Sequence, residues 1–219
     1  MIMTWCDILL QWWKYSLAAP FNTVTFSDEC KWILNMKVNR GIDPSGTNWI
    51  ELSQELAITK IAQAAGLLES RKCNTPTLSG EKLHATKEGD KPPSESWSYA
   101  SILGGVLYVA NLTRPDIAFS ANRLTRYLKK PNDSHCQALK RLVRYVYTTK
   151  ELGIRYHGGS NNPFRLTSAA DASFADCEDT HRSTLGWCQW LGDDNNGCIS
   201  WGSRVGRNVA LSTTESEVQ

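Results

Sequence analysis

Strand-like and helix-like hydrophobic patterns divide the chain. "KWILNMKV" (31–38) and "WIELS" (49–53) read as two strands. "GIDPSG" between them supplies turn residues, which predicts a hairpin. In "QELAITKIAQAAGLLES" the residues Ile58, Ile61, Ala62 and Ala65 recur at helical spacing, with Gly66 as a stop. Polar "SGEKLHATKEGDKPPSES" (79–96) reads as a linker. Three amphipathic helices follow. Ile102, Leu103, Val106 and Leu107 line the first, where Gly104-Gly105 permits close approach of a neighbour. Ile117, Ala121, Leu124 and Leu128 line the second, with Pro115 suited to its first position and Asp116 to its positive dipole end. "PNDSH" stops that helix and caps a third, lined by Leu139, Leu142, Val143 and Val146. Beyond Gly158-Gly159 the period becomes two: "FRLTSAADASF", "LGWCQWLGD" and "GCISWGS" predict a short-connected antiparallel meander. "ALSTTESEVQ" reads as a helix start, with N-caps at Ser212 to Thr214. The order predicts a mixed α+β or α/β chain: a mostly helical region over about 54–150, then three strands over about 162–203.

Composition sharpens this picture. The chain has 219 residues, 41% hydrophobic, with nine Trp, enough to bury a core. Its net charge is only +2, but the charge is unevenly spread. From Arg114 to Arg155 ten Lys/Arg stand against three Asp/Glu, a local +7, which leaves −5 for the rest. A basic middle hints at nucleic acid, although a solvated helix face would look the same. The seven cysteines form no C-x-x-C and no regular spacing. That argues against a disulfide framework or zinc ribbon and for a reducing, intracellular setting. "MIMTWCDILLQWWKYSLAAP" is apolar but interrupted by Asp7, Gln11 and Lys14. It lacks the basic start of a signal peptide and the length of a membrane span.

One acid demands an account. Asp171 lies inside a strand-like run, where a residue pointing into the fold is apolar or uses its charge. "TRPDIAFSANRLTRYLKKPNDSHCQALKRLVRY", "DASFADCEDTHRSTLGW", "ISWGS" and "ALSTTESE" together resemble the copia-type retrotransposon Pol polyprotein, at the end of its reverse transcriptase and the start of its RNase H domain. The resemblance runs from about Lys31 to Gln219. It implies a palm- or thumb-like hairpin and helix (31–78), a linker (79–98), thumb or connection helices (99–157) and a truncated RNase H-like domain (162–219), with 1–30 unassigned.

The resemblance also implies chemistry. Asp171 matches the first-strand carboxylate that binds a catalytic metal, and Glu217 matches the carboxylate of the first helix, with Glu215 as the nearby alternative. Such acids would hold two divalent ions, Mg²⁺ or Mn²⁺. Ser173 stands where the family has a second acid. Asp176, Glu178 and Asp179 read as a solvated loop. Arg126, Lys129, Lys130, Lys140, Arg141 and Arg144 are candidate phosphate contacts for RNA–DNA hybrid or primer–template. "WCDI" (5–8) offers Asp7 as a remnant of the polymerase's paired-aspartate motif, with Ile8 in place of the partner. The expected partners are nucleic acid and the remainder of the polyprotein, without a membrane, in the cytoplasm or nucleus. With the further RNase H acids expected downstream, the chain is expected to be inactive alone. The alternative is a non-catalytic nucleic-acid-binding module using the basic helices 114–155. A zinc or thiol enzyme finds little support, since Cys177-x-x-x-His181 lacks two further ligands.

Overall fold

The computed structural model describes residues 30–158, 165–192 and 196–218. The chain divides into Met1–Lys31 and Trp32–Gln219, and the second unit is described here. The expectations for residues 1–29, including Asp7, lie outside the described residues.

The first predicted strand is in fact two: β1 (Trp32–Ile33) and β2 (Met36–Ile42). Leu34 and Asn35 between them have φ of 46° and 62°, the pair of left-handed conformations that a tight hairpin needs. Apolar spacing hid the turn because only Asn35 is a typical turn residue. The hairpin to β3 (Asn48–Ser53) is as predicted, with Lys37 opposite Ser53 and Ile42 opposite Asn48. Its turn is fixed by Asp43, whose Oδ1 accepts from the backbone N–H groups of Ser45 (3.0 Å) and Thr47 (2.9 Å). A fourth strand, β4 (Ile154–His157), joins the edge of β3, in a stretch read as the end of the helical region. It is too short for its alternation to stand out. Arg155 clamps it by donating twice to Glu51 Oε2 (3.0 and 2.7 Å) and lying over Trp49.

Four helices make the core: α1 (Glu55–Ala64), α2 (Tyr99–Leu112), α3 (Ala118–Thr125) and α4 (Asp133–Thr148). A 3₁₀ turn at Pro115–Ile117 leads into α3. Ile58, Ala62, Leu103, Val106, Val109, Ile117, Ala121, Leu139 and Leu142 are all essentially buried. Most of the apolar positions read from the sequence are buried, but Ile61 and Leu107 are only partly so, and Leu128, beyond the end of α3, is 39% exposed. Gly105 explains how closely α1 and α2 approach: a Cβ there would stand 2.9 Å from Ile61 Cγ1, whereas one at Gly104 would meet nothing within 4 Å. Asn132 caps α4. Its side chain accepts from the His135 N–H (3.1 Å), and its own N–H donates to His135 Nδ1 (3.0 Å).

Residues 79–98 contain neither helix nor strand, yet they are strapped to the helices. Leu83 is buried in the core and its carbonyl accepts from Tyr127 Oη (2.8 Å). The Lys91 carbonyl accepts from Asp133 N, and Glu95 pairs with Lys140 at 2.7 Å.

The predicted meander is present. β5 (Leu166–Ser173), β6 (Thr184–Leu191) and β7 (Cys198–Val205) form a three-stranded antiparallel sheet in that order, with β6 at its centre. A short helix, α5 (Thr213–Val218), packs beside β5. Trp201 of β7 donates its indole N–H to the Ala110 carbonyl (2.8 Å), tying this sheet to α2. The observed architecture is a mixed helical and antiparallel-sheet fold.

Candidate functional site

Asp171 is on β5, exposed and opposite Gly186, which in turn faces Ser203 on β7. Side chains directly opposite each other share a face of the sheet, so Asp171, Gly186 and Ser203 form one cross-strand row. Glu217, on α5, is exposed too. Both acids line a cleft of about 250 Å³, together with Leu185, Trp187 and Arg204. Those three alternate to the face opposite Asp171. Glu215 is already engaged: its Oε2 accepts from Leu211 N–H (2.7 Å), while its own N–H donates to Ser212 Oγ (3.1 Å). Glu217 has no such role among the described residues. Nor do those residues contain any group of three or more His, Cys, Asp and Glu side chains arranged to hold a metal.

The acids of the "DCEDT" turn are not simply a solvated loop. Asp176 accepts from Thr184 Oγ1 (2.6 Å) and lies 3.7 Å from Arg126. Asp179 accepts the Ala85 N–H at 2.8 Å on both oxygens, and Glu178 meets Lys82 at 2.9 Å. Cys177 between them is buried. Burial pushes its thiol up, but hydrogen bonds from Thr180 and the Asp179 backbone outweigh that and, with Arg126, hold it below the usual thiol value.

The six candidate phosphate contacts fall into two groups. Arg126 donates to Thr184 Oγ1 (2.7 Å) beside Asp176, Lys140 is paired with Glu95, and Arg141 donates to Thr75 Oγ1 (2.6 Å). Arg126 and Lys140 are thereby held in ion pairs, whereas Arg141 is tied down by a neutral hydroxyl. Lys129 and Lys130, at the end of the α3 segment, are exposed, and Arg144 is half-buried on α4. Sequence reasoning gave the basic stretch but not this division, because the partners of Arg126, Lys140 and Arg141 lie 45 to 66 residues away.

Arg114 is another residue whose role the sequence concealed. It is 1% exposed. Its Nε and Nη2 donate to Asp116 (2.9 and 2.7 Å), and Nη1 and Nη2 donate to the carbonyl and hydroxyl of Thr149 (3.0 and 2.7 Å). Thr113 donates to the buried Gln54 at 2.8 Å. "TRPD" is thus a junction that locks the 3₁₀ turn to α1 and α4.

No protein-family profile matches the chain, and no solved structure matches it. Curated relatives do. The Retrovirus-related Pol polyproteins from transposons RE2 and RE1 of Arabidopsis thaliana are 34% and 33% identical, over 77% and 87% of this chain. An uncharacterized mitochondrial protein of the same plant is 33% identical over 80% of this chain and 68% of its own length. The chain belongs to the copia-type retrotransposon Pol polyprotein family. It spans only 11% and 12% of the RE2 and RE1 Pol polyproteins. Among the described residues of this Pol-family chain, no helix is long and apolar enough to cross a membrane.

Proposed function

We propose that this chain is the part of a Pol polyprotein where the end of a reverse transcriptase meets the start of an RNase H domain. By itself it holds RNA–DNA hybrid or primer–template and does not hydrolyse it. The observation that carries this reading is the order of elements around Asp171: an antiparallel meander with the acid on its first strand, then a helix that presents Glu217. The oxygen ligands of such a domain suit Mg²⁺ or Mn²⁺. Two ions about 4 Å apart need several carboxylate oxygens converging from one side. Asp171 and Glu217 are the sole carboxylates among the described residues that line the cleft of about 250 Å³. The acids present therefore do not fit a two-metal centre, and no catalytic step is derived through one.

Nucleic-acid binding falls to Lys129, Lys130 and Arg144, whose side chains make neither an ion pair nor a hydrogen bond among the described residues, unlike Arg126, Lys140 and Arg141. Three phosphate contacts give a log–log salt slope near −2.7 on duplex. The test is fluorescence anisotropy of a labelled RNA–DNA hybrid across a salt series. The slope is expected to shrink by roughly two contacts, to about −0.9, in the Lys129→Ala/Lys130→Ala double variant. A slope that the double variant leaves unchanged contradicts the assignment.

A further inference from the structure

A second cleft, of about 410 Å³, lies between the 3₁₀ turn with α3 and the face of the β5–β7 sheet that carries Asp171. We propose that it binds the guanidinium group of an arginine presented by a partner polypeptide. Its walls are apolar and partly aromatic: Pro115, Ala118 and Phe119 on the helical side, Trp201 on the sheet. Phe119 is 39% exposed, unusual for a Phe on a helix that packs against a sheet. The floor is the row Asp171–Gly186–Ser203. Gly186 leaves a slot in that row, since a Cβ there would meet nothing nearer than backbone oxygens at 4.0 Å. At one end of the slot stands a carboxylate. At the other is the Ser203 hydroxyl, whose Oγ is buried without a hydrogen-bond partner among the described residues.

The charge of the cleft selects the occupant. Asp171 is the sole ionisable carboxylate among its lining residues, and no Lys, Arg or His lines it. A phosphate finds no counter-charge there. A cation rich in N–H groups finds a carboxylate and a hydroxyl oxygen to accept them, and aromatic rings to stack on. Guanidinium is planar, carries five donors and stacks on aromatic faces, whereas ammonium is compact and strongly hydrated. The inference stands apart from the nucleic-acid reading, because the cleft shares none of the cations invoked there.

The test uses the whole chain and an end-blocked Gly-Gly-Arg-Gly-Gly peptide, followed by tryptophan fluorescence and NMR shifts at low salt. Matched peptides carry lysine or uncharged, isosteric citrulline in place of arginine, and AMP serves as the nucleobase probe. The arginine peptide is expected to bind best and the citrulline peptide not to bind. Asp171→Asn should weaken binding about tenfold, the loss of one charged hydrogen-bonding group. Gly186→Val should block the slot, with circular dichroism reporting that the fold is kept. Absence of arginine-peptide binding to the wild-type chain overturns the proposal. So does equal binding of citrulline, of AMP, or of arginine to a folded Asp171→Asn variant.

Discussion

At the residue scale, neighbouring positions with the same letter carry different constraints. Gly104 and Gly105 sit in the middle of α2, and Ala is the better helix former by about 1 kcal/mol. Gly104→Ala has open space and is expected to stabilise by up to about that amount. Gly105→Ala must displace Ile61 and is expected to destabilise by about 1–2 kcal/mol net of propensity. Urea unfolding of the two variants checks the sign of each, and equal effects would remove Gly105 as the reason for the close approach. The Arg114–Asp116 pair shows a second asymmetry. The Arg114 side chain is 2% exposed and that of Asp116 is 36% exposed. Asp116→Asn leaves a buried guanidinium without its counter-charge and is expected to cost about 3 kcal/mol, the low end for a broken buried pair because Asp116 is partly solvated. Arg114→Met leaves only a half-exposed carboxylate and should cost less. The reverse order in chemical denaturation would contradict this account. Burial pushes the Asp116 carboxyl up, but Arg114 and the Tyr145 hydroxyl outweigh it and hold the carboxyl below its ordinary value. A depressed carboxyl stabilises above the unfolded value, about 3.9, and that contribution is lost as pH falls below it.

At the element scale, the Asn132 cap of α4 is completed by His135 in the helix's first turn. The His135 Nδ1 accepts from Asn132 N–H, so the ring proton is on Nε2, which donates to the His84 carbonyl at 3.0 Å. The ring stacks on Tyr127 at 3.9 Å. Burial pushes His135 down, only partly offset by the His84 carbonyl and by Asp179 and Asp90, while His84 adds to the lowering. The unfolded chain therefore binds the proton more readily, and stability falls as pH drops below the ordinary histidine value of about 6.5. Glutamine is a standard partner at this capping position. His135→Gln should keep the reciprocal bond and flatten the thermal midpoint between about pH 7 and 5. A wild-type midpoint that is flat over that window would refute the role. The elements themselves were legible in the sequence wherever a period ran for two turns or several strand residues: α1 to α4 and β5 to β7 lie where spacing put them, although α3 ends at Thr125, short of Leu128, the last position of its predicted stripe. Ile154–His157 was not legible, because four residues hold too little alternation and the strand's support, Glu51, is far upstream. The tight turn at Leu34-Asn35 was hidden inside an apolar run. The strap at 79–98 reads as solvent-facing because its apolar anchors, Leu83 and Trp97, are isolated along it, and most of its other contacts use backbone or polar groups.

At the scale of the whole molecule, family membership and local chemistry point in different directions. The chain belongs to a polyprotein family, and motif order alone indicated that. Positions such as Asp171 and Glu217 could be named from the sequence, but their placement on the sheet could not, because strand alternation and the seat of α5 emerge only from the pairing register. The same holds for the cations: composition gives +7, while distant partners decide which of them are available. The central claim is that this chain holds hybrid without cutting it. The most direct measurement is cleavage of the RNA strand of a labelled RNA–DNA hybrid by the chain, with Mg²⁺ or Mn²⁺, beside its Asp171→Asn variant. The predicted result is binding by both proteins and no cleavage above the metal-only control. Metal-dependent cleavage by the wild-type chain that Asp171→Asn abolishes would contradict the account.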